Sequence, residues 1–174
     1  EEQLVSSRIT AERILGLANL RLGRYNDAYD ALTRAHNLLP QNATEQITSV
    51  LQAMGKLYYY QGRLHDSIAY QKRAFDNANK TQDLHLIAAA LSRLGTIDVE
   101  QGNFAEALVK YEAALQMNRS LQLVPEQAND LFNIGTVHLR TMNYGKAYEY
   151  FSDAEYLNMT FGYANLLVQG YRAF

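Results

Sequence analysis

The 174-residue chain contains no cysteine, no tryptophan and only two prolines. Without cysteine it has no disulfide framework, no thiolate nucleophile and no Cys-based zinc site. No apolar run approaches the roughly 18 to 20 residues that a membrane-spanning helix needs. The opening residues, EEQLVSSR, lack both the basic and the apolar regions of a signal peptide. An excess of one charge is also missing: 16 Lys and Arg against 18 Asp and Glu leave a net charge of -2. That balance disfavours a general electrostatic grip on nucleic acid or anionic lipid. The expectation is a soluble protein, cytoplasmic or periplasmic, that touches neither nucleic acid nor membrane directly. Because no initiator methionine is present, the chain is expected to be a processed form or a segment of something longer.

What the chain does have is Ala, Leu, Gln and Tyr in quantity, and with so little proline this points to the all-α class. It also repeats itself. Leu15-Gly16, Met54-Gly55, Leu94-Gly95 and Ile134-Gly135 recur at intervals of 39, 40 and 40 residues. Seven residues after each early glycine stands Gly23, Gly62, Gly102 or, in the fourth copy, Met142. A large apolar residue follows (Tyr25, Leu64, Phe104, Tyr144), then a small one (Ala28, Ser67, Ala107, Ala147) and later an alanine (Ala35, Ala74, Ala114, Ala154).

Each copy reads as helix, tight turn, helix. The second glycine closes the first helix with a left-handed cap, and a polar residue (Arg24, Arg63, Asn103, Asn143) opens the second. Asn103 with Glu106 has capping-box spacing. The spacing predicts first helices over 3–22, 43–61, 84–101 and 125–141, and second helices over 25–39, 64–79, 104–120 and 144–158. Pro125 fits a first helical turn. An early glycine inside a helix costs ~1 kcal/mol against alanine, so close approach of a neighbouring helix is the expected reason for it. The copies are expected at about 1–41, 42–81, 82–122 and 123–160, in one domain.

The order Leu-Gly, Gly, aromatic, Ala, aromatic, Ala, Pro resembles the tetratricopeptide repeat. The first copy runs Leu15, Gly16, Gly23, Tyr25, Ala28, Leu32, Ala35 and Pro40; the third runs Leu94, Gly95, Gly102, Phe104, Ala107, Tyr111 and Ala114. Glu12, Leu51, Leu91 and Leu131 depart from the aromatic expected early in each first helix, and Gln71 replaces another aromatic. The repeat of about 40 residues exceeds the usual 34. This long form is similar to that of bacterial peptide-pheromone receptors and sensor or regulator proteins, and of kinesin light chain. The resemblance implies a right-handed α-solenoid of four helix pairs, with the first helices lining a concave surface.

Enzymatic chemistry has little to stand on. His36, His65, His85 and His138 are never three or four apart, so no helix presents a histidine pair to a metal. There is no Gly-x-Ser-x-Gly elbow, and Tyr144-Gly145-Lys146 lacks the glycine of a phosphate loop at Arg140. No catalysis, cofactor or metal is expected. Asn42, Asn118 and Asn158 lie in Asn-x-Ser/Thr triplets, read here as loop composition rather than glycan sites.

A groove is the better candidate. At about 100° per residue, the positions three before and one, four and five after each early glycine share an arc to one side of the helix contact. These are Arg13, Leu17, Leu20 and Arg21; Gln52, Lys56, Tyr59 and Tyr60; Ser92, Thr96, Val99 and Glu100; Phe132, Thr136, Leu139 and Arg140. Together with Arg172 the arc carries five basic residues and one acid, about +4. It would suit an extended peptide with carboxylates and an apolar anchor. The competing reading pairs these arginines with carboxylates across the groove and packs the tyrosines between repeats. The functional expectation is a protein- or peptide-binding module, the sensing part of a larger bacterial signalling protein. The alternative is a constitutive scaffold that binds by its outer face.

At the C-terminal end, Gly162 is expected to break the chain before an unpaired helix over 163–174. Leu166, Leu167, Tyr171 and Phe174 would give that helix an uncovered apolar face. Continuation of the natural protein past residue 174, or self-association through this helix, is the expectation.

Overall fold

The computed structural model describes residues 2–40 and 43–172, with side chains from residue 3 as far as residue 162. Among the described residues there are eight helices and no strand. They are α1 Glu2–Arg21, α2 Tyr25–Asn37, α3 Thr44–Tyr60, α4 Leu64–Thr81, α5 Leu84–Glu100, α6 Phe104–Ser120, α7 Val124–Arg140 and α8 Tyr144–Arg172. The all-α class and the succession of helix pairs are as the repeat implies.

The turn inside each pair is fixed by the backbone. Gly23, Gly62 and Gly102 have φ of 72°, 71° and 78°, the left-handed region in which a Cβ is unfavourable. Gly23 N–H donates to the Leu20 carbonyl at 3.1 Å and Arg24 N–H to that of Asn19 at 2.9 Å, the two bonds of a Schellman motif. The same two bonds close the turns after α3, α5 and α7. In the last of these Met142 takes the glycine's place at φ 58°. Because Asn103 is already held by its 2.8 Å bond to the Asp98 carbonyl, with φ -83° and ψ 63°, its side chain makes no cap and the Asn103–Glu106 capping box does not form. A side-chain cap occurs instead at α5, where the Asp83 carboxylate accepts from His85 and Leu86 N–H at 2.9 and 3.2 Å. Pro125 sits in the first turn of α7, as expected.

The mid-helix glycines mark close approach, and the approaching group is the residue sixteen positions on. A Cβ on Gly16 would lie 2.6 Å from Leu32 Cγ, and one on Gly135 would lie 2.8 Å from the Phe151 ring. At Gly95 the neighbour is Tyr111, at 3.0 Å; at Gly55 it is Gln71. Gln71 replaces the aromatic because its amide donates to the Gln52 carbonyl at 3.2 Å, while the small Ser67 donates to the Gly55 carbonyl at 2.9 Å.

The chain gathers into two compact units, Glu1–Ala90 and Leu91–Phe174, the division falling within α5. In the first, Ile9, Leu32, Val50 and Leu57 centre a core that Tyr25, Leu39 and Tyr70 cover. In the second, Tyr111, Leu131, Ile134 and Val137 play that part, with Phe104, Tyr150 and Leu157 at the margin.

One expectation fails. Gly162 does not break the chain: α8 runs unbroken through it to Arg172, well past residue 158. Gly162 is not in the left-handed region and nothing crowds it, so it is an ordinary helical glycine costing ~1 kcal/mol. Among the described residues there is no separate C-terminal helix. Phe174 lies outside the described residues, as do the side chains of Leu166, Leu167 and Tyr171.

Candidate functional site

In the first unit the inner-arc residues meet where α1 and α3 end. Arg21, in the last turn of α1, and Lys56 and Tyr60, one turn apart on α3, line one cleft of about 280 Å³ with Leu20, Gly23 and Tyr25. Lys56 Nζ lies 5.9 Å from the centroid of the Tyr60 ring, and Tyr59 meets Tyr60 edge-on at 5.8 Å. Tyr60 is exposed while Leu20 is buried at the floor. The cleft therefore offers two cationic groups and an aromatic wall above an apolar base, which can hold a carboxylate beside an apolar side chain. Leu17 packs partly against the core and Arg13 is half-buried. Gln52 belongs to the core: it is buried, and its Nε2 finds no hydrogen-bond partner.

The second unit is different. Arg140 reaches Glu100 at 3.4 Å, so charges of opposite sign in the arc neutralise each other there. The Ser92 hydroxyl donates to the Asp130 carboxylate. Thr96 Oγ donates to the Ser92 carbonyl and accepts from Tyr111 OH, both at 3.0 Å, and the Thr136 hydroxyl donates to the Phe132 carbonyl at 2.9 Å. These polar groups are used internally. The remaining basic side chains of the arc with described positions, Arg13, Arg21 and Lys56, all belong to the first unit. Arg172 ends α8, and its side chain lies outside the described residues.

Phe132 is exposed and tilts against Phe151 at 5.2 Å. The two line a cleft of about 420 Å³ with Ala154, Glu155, Asn158 and Met159. Sequence reasoning placed Phe132 alone in the groove and missed its α8 partners, although the aromatic sixteen residues after the early glycine was a signal for them.

Asp130 is the one carboxylate buried in the second core among the described residues. Burial raises its pKa, against two hydrogen bonds, from Ser92 and Asn118, that lower it. Asn118 is thus buried inside α6 and occupied, which excludes it as a glycan acceptor. His138 is stacked on Tyr150 at 5.4 Å, and burial lowers its pKa, with a smaller contribution from Lys146. Among the described residues no three His, Asp or Glu side chains gather as a metal site would require, and no helix is long and apolar enough to cross a membrane.

Residues 43–120 match the family model of the tetratricopeptide repeat. The resemblance seen in the glycine and alanine pattern is thereby borne out for the central part of the chain, and solved structures extend the fold to most of it. Aspartyl phosphate phosphatase F from Bacillus subtilis superposes with a TM-score of 0.78 at 15% identity, over 89% of this chain and 42% of that one. A Rap protein complexed with competence and sporulation factor gives 0.76 at 18%, over 86% and 43%. PilF of Pseudomonas aeruginosa gives 0.72 at 22%, over 89% and 63%. The chain thus spans less than two thirds of each of these proteins. No curated protein sequence matches it. The repeat class carries the coarse assignment, a module that binds protein or peptide.

Proposed function

We propose that the chain is a peptide-sensing module whose recognition surface is the inner arc, centred on the Arg21–Lys56–Tyr60 cleft, and that it takes an acidic peptide with an apolar or aromatic anchor. The observation that carries this reading is that Arg21 and Lys56 line one cleft with an exposed tyrosine in the first unit. A carboxylate would pair with Arg21 and Lys56 while an apolar side chain rests on Tyr60 and Leu20. The chain acts by binding rather than by catalysis, as one recognition domain within a larger bacterial signalling protein. A similar fold occurs in the Rap protein that was solved with competence and sporulation factor, and in proteins of Bacillus and Pseudomonas.

The test is a melting-temperature screen with peptide pools. Acidic pools containing aromatic residues are expected to raise the midpoint with concentration, and basic pools to leave it unchanged. No shift with any pool would favour the scaffold reading.

A further inference from the structure

In the second to fourth copies the residue three after the early glycine meets the residue fifteen after it, across the helix pair. Tyr58 stacks on Tyr70 at 5.2 Å, Lys110 is ion-paired with Asp98, and His138 lies on Tyr150 at 5.4 Å with the rings 16° apart. One position of the repeat thus ties the two helices together by three different chemistries. Of these side-chain types only imidazole ordinarily changes its charge between about pH 5 and 8.

A second position of the repeat bears on the same joint. Eleven residues after the early glycine stand Asp27, Asp66 and Glu106, but in the fourth copy Lys146. In the second copy this acid reaches the joint through an intermediary: Asp66 pairs with Arg63 at 2.6 Å, and the Arg63 guanidinium lies 4.5 Å from the Tyr58 ring. The copy that places an imidazole in the joint is therefore also the copy that exchanges the acid for a base. His138 is buried in the last turn of α7. From α8 it faces Lys146 and Tyr150, and from α6 the carboxylate of Glu112. Burial and Lys146 both oppose the imidazolium, and Glu112 acts more weakly in its favour.

We infer that the α7–α8 joint is a proton-sensitive latch, closed while His138 is neutral and loosened when it takes up a proton. An imidazolium there would be withdrawn from water and repelled by the Lys146 ammonium. The unfolded chain has neither penalty. As pH falls below the ordinary histidine value of 6.5 the unfolded chain binds the proton first, and the stability of the joint is lost on the way to the lowered folded value. The His138 carbonyl also accepts the 2.8 Å bond from Asn143 N–H that closes the turn, and Phe132 on α7 packs against Phe151 on α8. Loosening the joint therefore reaches both the turn and the cleft that those two rings line.

The test is hydrogen exchange at about pH 5 and about pH 8, corrected for the intrinsic rate, with the imidazole titration followed by NMR. His138→Tyr reproduces the Tyr58–Tyr70 pair, and Lys146→Glu restores the acid of the other copies at an exposed position. In wild type the acid-to-neutral ratio of exchange rates should be larger across α7 and α8 than across α6, which Lys110 ties to Asp98. That excess should vanish in His138→Tyr and shrink in Lys146→Glu. The imidazole signal missing from His138→Tyr should titrate below 6.5 in wild type and higher in Lys146→Glu. Asp130 moves stability the other way as pH falls, so each variant is compared with wild type at the same pH. An acid response equal in wild type and His138→Tyr, or equal in α6 and α8, overturns the inference. So does a His138 that titrates at or above 6.5, which would mean that the Tyr150 ring holds the imidazolium. If His138→Tyr loses helicity by circular dichroism, Lys146→Glu decides, and a His138 signal that it leaves unmoved overturns the inference equally.

Discussion

Asn118 on α6 donates a 2.7 Å hydrogen bond to the buried carboxylate of Asp130 on α7, and Ser92 of α5 supplies a second donor. Three helices of the second unit are thus tied to one acidic side chain. Burial prevails over the two donors and raises its pKa, so the folded protein keeps this proton to higher pH than the unfolded chain does. As pH rises from the ordinary carboxylate range through the raised value, the unfolded chain is the one that binds fewer protons, and stability falls. Asp130→Asn should therefore gain on wild type in melting temperature as pH rises through that window. Asp130→Ala should lose about 1–3 kcal/mol by stranding buried donors. Thermal melts across a pH series check both, and an Asn variant that loses ground with rising pH would contradict the sign.

The two kinds of glycine should respond differently to substitution. Gly16→Ala drives a Cβ against Leu32 in the core and is expected to cost about 1–3 kcal/mol, although alanine favours the helix by ~1 kcal/mol. Gly62→Ala places alanine at φ 71° in open space, at about 1 kcal/mol. Gly95→Leu should exceed both, since its Cβ alone already crowds Tyr111. Urea melts of the three variants would show equal losses if close approach were not the reason for the early glycines.

Met142 is a non-glycine residue in the left-handed turn that glycine occupies in the other three copies. It is exposed, so its side chain contributes little packing. Met142→Gly should stabilise by about 0.5–1 kcal/mol, relief of left-handed strain outweighing the added freedom of the unfolded chain. A loss of stability would show that the methionine holds the turn in a way its exposure does not suggest.

The helix pairs were legible because the glycine spacing fixes both the turn and the contact. Seven of the eight helices begin and end within two residues of their expected bounds. The end of α8 was not legible. Gly162 looks like Gly23 in sequence, but only a following turn closed by Schellman bonds makes a glycine a stop, and such bonds depend on what packs next. The site was half legible. Helical geometry placed Arg21, Lys56 and Tyr60 on one side, and the structure brings them to one cleft. It could not foresee that Gln52 is buried in the core, nor that Arg140 finds Glu100, which depends on a side-chain partner from the neighbouring repeat.

The most direct measurement is the affinity of an acidic, aromatic-containing peptide for wild type, for Arg21→Glu/Lys56→Glu and for Arg140→Glu, each checked for unchanged helicity. Reversing the two cleft charges should weaken binding by about 10-fold or more, and reversing Arg140, which does not line that cleft, should weaken it far less. Equal affinities for wild type and the double variant, or a larger loss in Arg140→Glu, would contradict the account.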